Sequence, residues 1–548
     1  MKLAVAACAA MIAATPSVLG GANLDPTVLG IGFICGAEDT PGAAGGSATG
    51  VMRAGFGNAR IAVDGATPEA EAWFNQAMNQ YHAFAHDESK AAFARAAAAD
   101  PTCSLCASGV ALSLGATLNT GMTPADRAAA LAEAQRAVRL ARPGDARARA
   151  LAEALTVRYA ETEPKGGREM AFAAALEPYL KAAPDDDMIA NLAAHAMLIP
   201  ARQENYAGVE PAIALIEGVL AKKPDDTAAI HYYIHATEFA GRAPRALAYA
   251  ERLADLAPGS GHLVHMGTHT LMRVGDYDEV ALRNARALKV DVETQPLLPT
   301  SGSLAQRYYL HNYLFGLGGA LMAGDDALAL KYADHAEKAF PADAPERSRV
   351  ISRARSLVAL ARYAPERALA VPAGKDDPRV LAIYRHYARG EAYAARRNVR
   401  AIRREAAAIA ALAKAGPLND YGREMEIAEI AEQVLLGRAE MAAGRPDAAA
   451  PHFQRAAAAQ EKAYPVIRFF DPPRWWYPVR RSLAAAHLKA GRLDDAAREA
   501  RASLVEWPHD GLALRILAEA DRAGAAAHRD AARKAYRGDP WKAPLEIL

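Results

Sequence analysis

The sequence predicts an all-α protein, a right-handed solenoid of antiparallel helix pairs preceded by an irregular N-terminal segment. Three observations carry the prediction. Alanine dominates the composition and has the best helix propensity of any residue. A four-point pattern of small or apolar residues closed by a proline recurs along the chain, and turns pairing Gly with a following Asp separate the recurrences.

The pattern is a small or apolar residue, a second four later, a third three after that, and Pro five later. It reads Ala212, Ile216, Val219 and Pro224 in PAIALIEGVLAKKPDD, and Ala246, Ala250, Leu253 and Pro258 in RALAYAERLADLAPGS. It returns as Ala329, Ala333, Ala336 and Pro341, and as Ala496, Ala500, Ser503 and Pro508, with weaker copies ending at Pro101, Pro143 and Pro184. Small residues at these positions let two helices approach closely, and the proline ring cannot continue the hydrogen-bond ladder, so it ends the second helix of each pair. AGRLDD at 490–495, VGDYDE at 274–279 and AGRPDA at 443–448 fit the turn inside a pair, where Gly stops one helix and Asp starts the next. This is the tetratricopeptide-repeat (TPR) pattern. Spacings from Pro101 through Pro143, Pro184 and Pro224 to Pro258 are 42, 41, 40 and 34 residues, so several units exceed the usual length.

The remaining chain divides around that array. MKLAVAACAAMIAATPSVLGGA has a lysine, a short apolar run and small residues near its end, the layout of a secretory signal peptide over 1–22, which implies a periplasmic or secreted protein. Residues 23–66 are rich in Gly, Ala and Thr without periodicity and read as an irregular segment that crosses or caps the repeats. An N-terminal array is expected over 67–360 and a C-terminal one over 361–548. The latter carries FFDPPRWWYPVRR at 469–481, read either as an insertion packed on the preceding repeat or as an aromatic lid or anchor. At 52% apolar content the 548 residues hold a large core, and no later run is long and uncharged enough to span a membrane. With 64 basic against 63 acidic residues there is no global field to attract nucleic acid.

The chemistry-bearing feature is histidine spacing. HAFAH at 82–86, HYYIH at 231–235 and HMGTH at 265–269 repeat an HxxxH pair, where about 0.4 such pairs are expected by chance. On a helix, i and i+4 share a face, so each pair can present two imidazoles to one ion. His82, His86, His231, His235, His265 and His269 are therefore candidate metal ligands, read as lying on first helices just before the turn, where units far apart in sequence can converge. Glu238, one turn after His235, and His311 are candidates for handling protons or substrate. His195, His262, Cys103 and Cys106 are further candidates, the two cysteines either as soft ligands or as a disulfide across CxxC. Imidazoles suit copper, iron or zinc. The sequence contains no HExxH, GxSxG, GxxxxGK or CxxCH, which sets aside the common zinc-protease, serine-hydrolase, phosphate-loop and c-haem readings.

The segments WFNQAMNQYHAFAHDESKAAFARAAAADPTCSLCASGVALSLG, AAIHYYIHATEFAGRAPRALAYAERLADLAPGSGHLVHMGTHTLMRVGDYDEVALRNARAL and RWWYPVRRSLAAAHLKAGRLDDAAREA resemble a group of exported bacterial TPR proteins of undefined activity. The resemblance covers most of the chain after the leader and implies counterparts for His86, His231, His235, His265 and His269. The chain departs from that pattern at HMGTH, where Pro-Ser is expected between the histidines, and at LHNYLF, where Pro is expected before His311. Two functions follow as expectations. One is a metal-dependent protein, in particular a copper or iron oxidoreductase acting on a small molecule; the other is an adaptor that takes a peptide or protein ligand in the solenoid groove.

Overall fold

Local signals set most helix boundaries. The computed structural model describes residues 51–203, 205–294, 304–339, 345–416, 424–463 and 475–548, and among them are twenty-four α-helices and no strand. Second helices end where the prolines require. His86–Ala99 stops before Pro101, Pro124–Leu140 before Pro143, Arg168–Ala182 before Pro184, Val209–Lys222 before Pro224, Leu247–Leu256 before Pro258 and Leu493–Glu506 before Pro508. Pro341 lies outside the described residues.

Two residues after most of these prolines stands a side-chain cap for the next helix. Asp145, Asp186, Asp226, Ser260 and Asp510 each accept a hydrogen bond from a backbone N–H two or three residues on, each such cap contributing about 1 kcal/mol. The stop and the start of consecutive units are thus written within three residues. Inside the pairs, Gly275, Gly444 and Gly491 adopt the left-handed conformation expected of them, with φ of 83°, 75° and 76°.

Each helix packs on the next, and first helices also touch the first helices of neighbouring units through most of the chain. The result is an all-α, TPR-like solenoid. Buried alanines line the contacts, Ala212, Ala246, Ala250, Ala496 and Ala500 among them. One tight approach is at Gly267, where a Cβ would lie 2.3 Å from the Ala250 carbonyl oxygen. The HMGTH helix, Gly261–Val274, therefore runs unbroken without the expected Pro-Ser and sits directly on the second helix of the preceding unit.

A second, non-sequential contact ties the array together. The first helix, Pro68–His82, touches Thr227–Phe239 of a much later unit. The segment 51–66 has no helix and runs across this junction. Gly55 accepts from Gly259 N (2.9 Å), Asn58 N donates to Thr227 Oγ1 (3.2 Å), Ala59 N donates to Asn79 Oδ1 (2.9 Å) and Arg147 Nη1 donates to Ala62 O (3.1 Å). The leader, Cys8, Cys35 and the rest of 23–50 lie outside the described residues.

Of the aromatic loop, Phe469 to Arg474 also lie outside them. Trp475, Trp476 and Tyr477 are buried. Trp476 Nε1 donates to Tyr387 Oη (3.2 Å) and the Trp475 ring meets Tyr387 at 4.8 Å, so these three rings pack into the solenoid. Among the described residues no helix is long and apolar enough to cross a membrane.

The Gly267 contact makes a prediction. Gly267→Ala should destabilise the protein by about 1–3 kcal/mol, read as a lower urea midpoint, whereas Gly218→Ala, at a site with nothing within 4 Å, should leave it unchanged or slightly raised; equal midpoints for the two variants would refute the close approach.

Candidate metal centre

Three first helices carry the central imidazoles. Thr227–Phe239 presents His231, His235 and Glu238 at i, i+4 and i+7; Gly261–Val274 presents His262, His265 and His269; Leu304–Ala323 presents His311. These rings are buried, His231, His265 and His311 completely. They form two groups of three, His231 with His235 and His262, and His265 with His269 and His311. In each group one nitrogen per ring lies within 4.8 Å of the other two. Some pairs are much closer: His265 Nε2 to His269 Nε2 is 3.0 Å, His269 Nε2 to His311 Nε2 is 3.2 Å, and His231 Nε2 to His262 Nε2 is 3.3 Å. Two imidazoles bound tetrahedrally to one ion at 2.0–2.1 Å would place their nitrogens about 3.3 Å apart.

The outer nitrogens explain why these contacts are unusual. His269 Nδ1 donates to Glu238 Oε2 (3.0 Å), while Arg273 holds the other carboxylate oxygen from Nε and Nη2 at 3.3 and 3.2 Å. His265 Nδ1 donates to Asn284 Oδ1 (2.7 Å). The Asn284 amide is oriented by its own donations to Thr268 Oγ1 (3.1 Å) and Val280 O (2.8 Å). His231 Nδ1 donates to the main-chain oxygen of His82 (2.6 Å). A neutral imidazole has one N–H. With Nδ1 protonated in His231 and His265, their Nε2 atoms are bare, and the Nε2 of His265 faces that of His269 at 3.0 Å. Such a carboxylate or carbonyl acceptor behind an imidazole is the usual support of a metal ligand.

Electrostatics keep four of the rings neutral. Burial pushes His231 down to about 3 and holds His235, His262 and His265 well below the usual imidazole range, with neighbouring imidazoles adding to the effect. Burial would raise Glu238, but His269 and Arg273 more than offset it and keep the carboxyl below its ordinary range. His235 Nε2 and His262 Nδ1 are buried and find no hydrogen-bond partner among the described residues. An unsatisfied buried nitrogen costs about 1–3 kcal/mol, a cost a bound cation removes for a nitrogen it reaches.

Each group has a phenyl ring against it. Phe315, one turn after His311, meets His265, His269 and His311 at 5.0, 4.8 and 4.9 Å. Phe84 meets His231, His262 and His235 at 4.4, 5.3 and 6.0 Å. Phe84 stands in the left-handed region, φ 55°, at the turn that ends Pro68–His82, with Ala85 N donating to Gln80 O (2.9 Å). Glycine ordinarily fills that position, so the chain accepts backbone strain of about 1 kcal/mol or more to place a ring there.

The other candidates fall outside both groups. His82 ends the first helix and pairs through Nδ1 with Tyr232 Oη (2.8 Å), burial pushing it down to about 3. His86 was expected on that same helix; the turn at Phe84 instead makes it the first residue of His86–Ala99, where Nε2 pairs with Thr117 Oγ1 (3.2 Å). His195 stacks on Tyr232 at 4.8 Å, its Nε2 3.4 Å from Leu118 N. Cys103 and Cys106 form a disulfide, so they offer no thiolate. His311 belongs to the second group of three and Glu238 stands behind His269. His262 moves from the margin to the centre. Phe84 and Asn284 were missed because nothing in their local pattern marks them; Phe315 was legible at i+4 from His311.

One helical turn beyond His269 and His311 a small, partly open groove begins, with about 20 Å³ of free space, lined by Met272, Leu314, Leu317, Arg355, Trp476 and Trp507 among others.

No protein-family model matches the chain, and no curated protein matches it. Among solved structures, the Cut9–Hcn1 hetero-tetramer of the APC/C matches at 12% identity and TM-score 0.27 over 83% of this chain and 76% of that one. The Naa15/Naa10 complex bound to HypK-THB matches at 14% identity and TM-score 0.24 over 85% and 73%. At those scores the fold stands on the helix pairing described above.

Phe84 supplies a test. Phe84→Gly removes strain and ring together, and the expected net loss is about 2–3 kcal/mol in urea unfolding, because deleting a buried phenyl outweighs relaxing one residue; a neutral or stabilised variant would show that the ring is not packed among the imidazoles.

Proposed function

We propose that this protein is an exported TPR-like solenoid that holds a transition metal between the imidazoles of its first helices. The observation that carries the reading is the approach of His265 and His269, whose Nε2 atoms lie 3.0 Å apart with acceptors behind both rings. A cation between them would take both nitrogens as ligands, each ring supported from behind. An all-imidazole set favours copper, zinc or iron over magnesium or calcium. Three protein ligands leave a position open for a substrate or a small ligand, the arrangement of catalytic rather than structural sites. The small groove beginning one turn away is lined by apolar and aromatic side chains and has room for a molecule of water size. Metal-dependent oxidation of a small molecule is the activity this geometry favours. A CxxC closed as a disulfide suits the oxidising compartment that the N-terminal leader implies.

The fold also supports a second reading, an adaptor that binds a peptide or protein in the solenoid groove, since helix-pair solenoids present extended surfaces to partners. Under it the imidazoles are hydrogen-bonding groups alone.

Metal analysis of protein purified without a histidine tag separates the two. The wild type should carry copper, iron or zinc in stoichiometric amount, His265→Ala/His269→Ala should lose it, and Glu238→Gln should weaken affinity by about 10–100-fold while helicity is retained. A chain that takes up none of the three metals refutes the metal reading and leaves the adaptor.

A further inference from the structure

The six imidazoles do not form one crowded site. Their nitrogens group as three and three, and the surroundings are duplicated with them. The first group is oriented by the His82 carbonyl and covered by Phe84; the second is oriented by Asn284 and Glu238 and covered by Phe315. Within a group, the ring pairs in contact have centroids between 4.5 and 5.4 Å apart: 5.0 Å for His231 to His235 and to His262, and 4.9, 4.5 and 5.4 Å for the three pairs of the second. Between groups the contacts widen to 5.9 Å for His235 to His269 and 6.2 Å for His262 to His265. Three tetrahedral imidazole ligands would hold their centroids about 5.2 Å apart, given nitrogens at 2.0–2.1 Å from the ion.

We propose that the protein binds a pair of metal ions, one in each histidine triad, as a dinuclear centre. The inference rests on the metal reading above and goes beyond it in number and arrangement. Each ion takes three imidazoles and keeps an open position. The triads share one helix, Gly261–Val274, which gives His262 to the first and His265 and His269 to the second, so the ions are neighbours. Copper is the ion of choice by affinity, since nitrogen sites bind it more tightly than other divalent first-row metals. The nearby charge is small, the Glu238 carboxylate being already paired with Arg273. Two divalent ions in so buried a place therefore call for a small anion at the open positions.

Copper(II) titration of full-length, tag-free, chelator-treated protein tests this, with bound metal measured directly and spins counted by electron paramagnetic resonance. The wild type should bind two ions per chain with fewer spins than ions, because neighbouring copper(II) ions couple. His231→Ala/His262→Ala and His265→Ala/His311→Ala should each bind one, with one full spin. The single variants His262→Gln and His311→Gln replace any double variant whose circular dichroism shows lost helicity. One ion per chain in the wild type overturns the pair and leaves the single-site reading intact. Two ions with a full, uncoupled spin count overturn the neighbouring arrangement. No bound ion overturns both readings.

Discussion

Close approach between neighbouring helices is the constraint on which the molecule depends. Where Gly267 of a first helix lies against the Ala250 carbonyl of the preceding second helix there is no room for a single additional methyl group, and the same first helix, packed on Leu304–Ala323, brings His265 and His269 to His311 with nitrogen separations near 3 Å. Small residues that in other repeat arrays serve only to seat helices here also set the distance between functional rings. Packing and chemistry cannot be varied independently at this point of the chain, because moving the helices apart by one methyl would open the triads by a comparable amount.

Burying so many imidazoles has a cost that hydrogen bonds only partly offset. Three of the rings are anchored at Nδ1 by acceptors, which fixes their orientation and turns their second nitrogens inward. A core selected for stability alone would satisfy both nitrogens or use apolar residues. The strained Phe84 belongs to the same pattern. A glycine would relax the turn, yet a phenyl ring is held there against three imidazoles, where it excludes water and lowers the local dielectric.

The non-sequential seam makes the site a property of the closed array rather than of any unit. His231 is oriented by a carbonyl from the first helix, and Phe84 comes from the turn that follows it. The segment 51–66 fastens that helix to the units beginning at Thr227 and Gly261. Detaching the first unit would therefore remove the cover and one anchor of the first triad while leaving the second, whose supports Asn284, Glu238 and Phe315 all come from later helices.

Much of this was written in the sequence. Helix ends at Pro101, Pro143, Pro184, Pro224, Pro258 and Pro508, the turns at Gly275, Gly444 and Gly491, and the pairing of helices depend on interactions within a few residues, so composition and spacing determine them. The HxxxH spacing likewise marked His231, His235, His265 and His269 as sharing helix faces. Which rings meet was decided only by the tertiary structure. His82 and His86 have the same spacing, but a left-handed turn between them places one at the end of a helix and the other at the start of the next. His262 and His311 have no HxxxH partner and nevertheless complete the two groups. The reason is geometric: the rotation from one helix pair to the next accumulates over several units, and no short-range pattern records where that accumulated rotation brings distant side chains together.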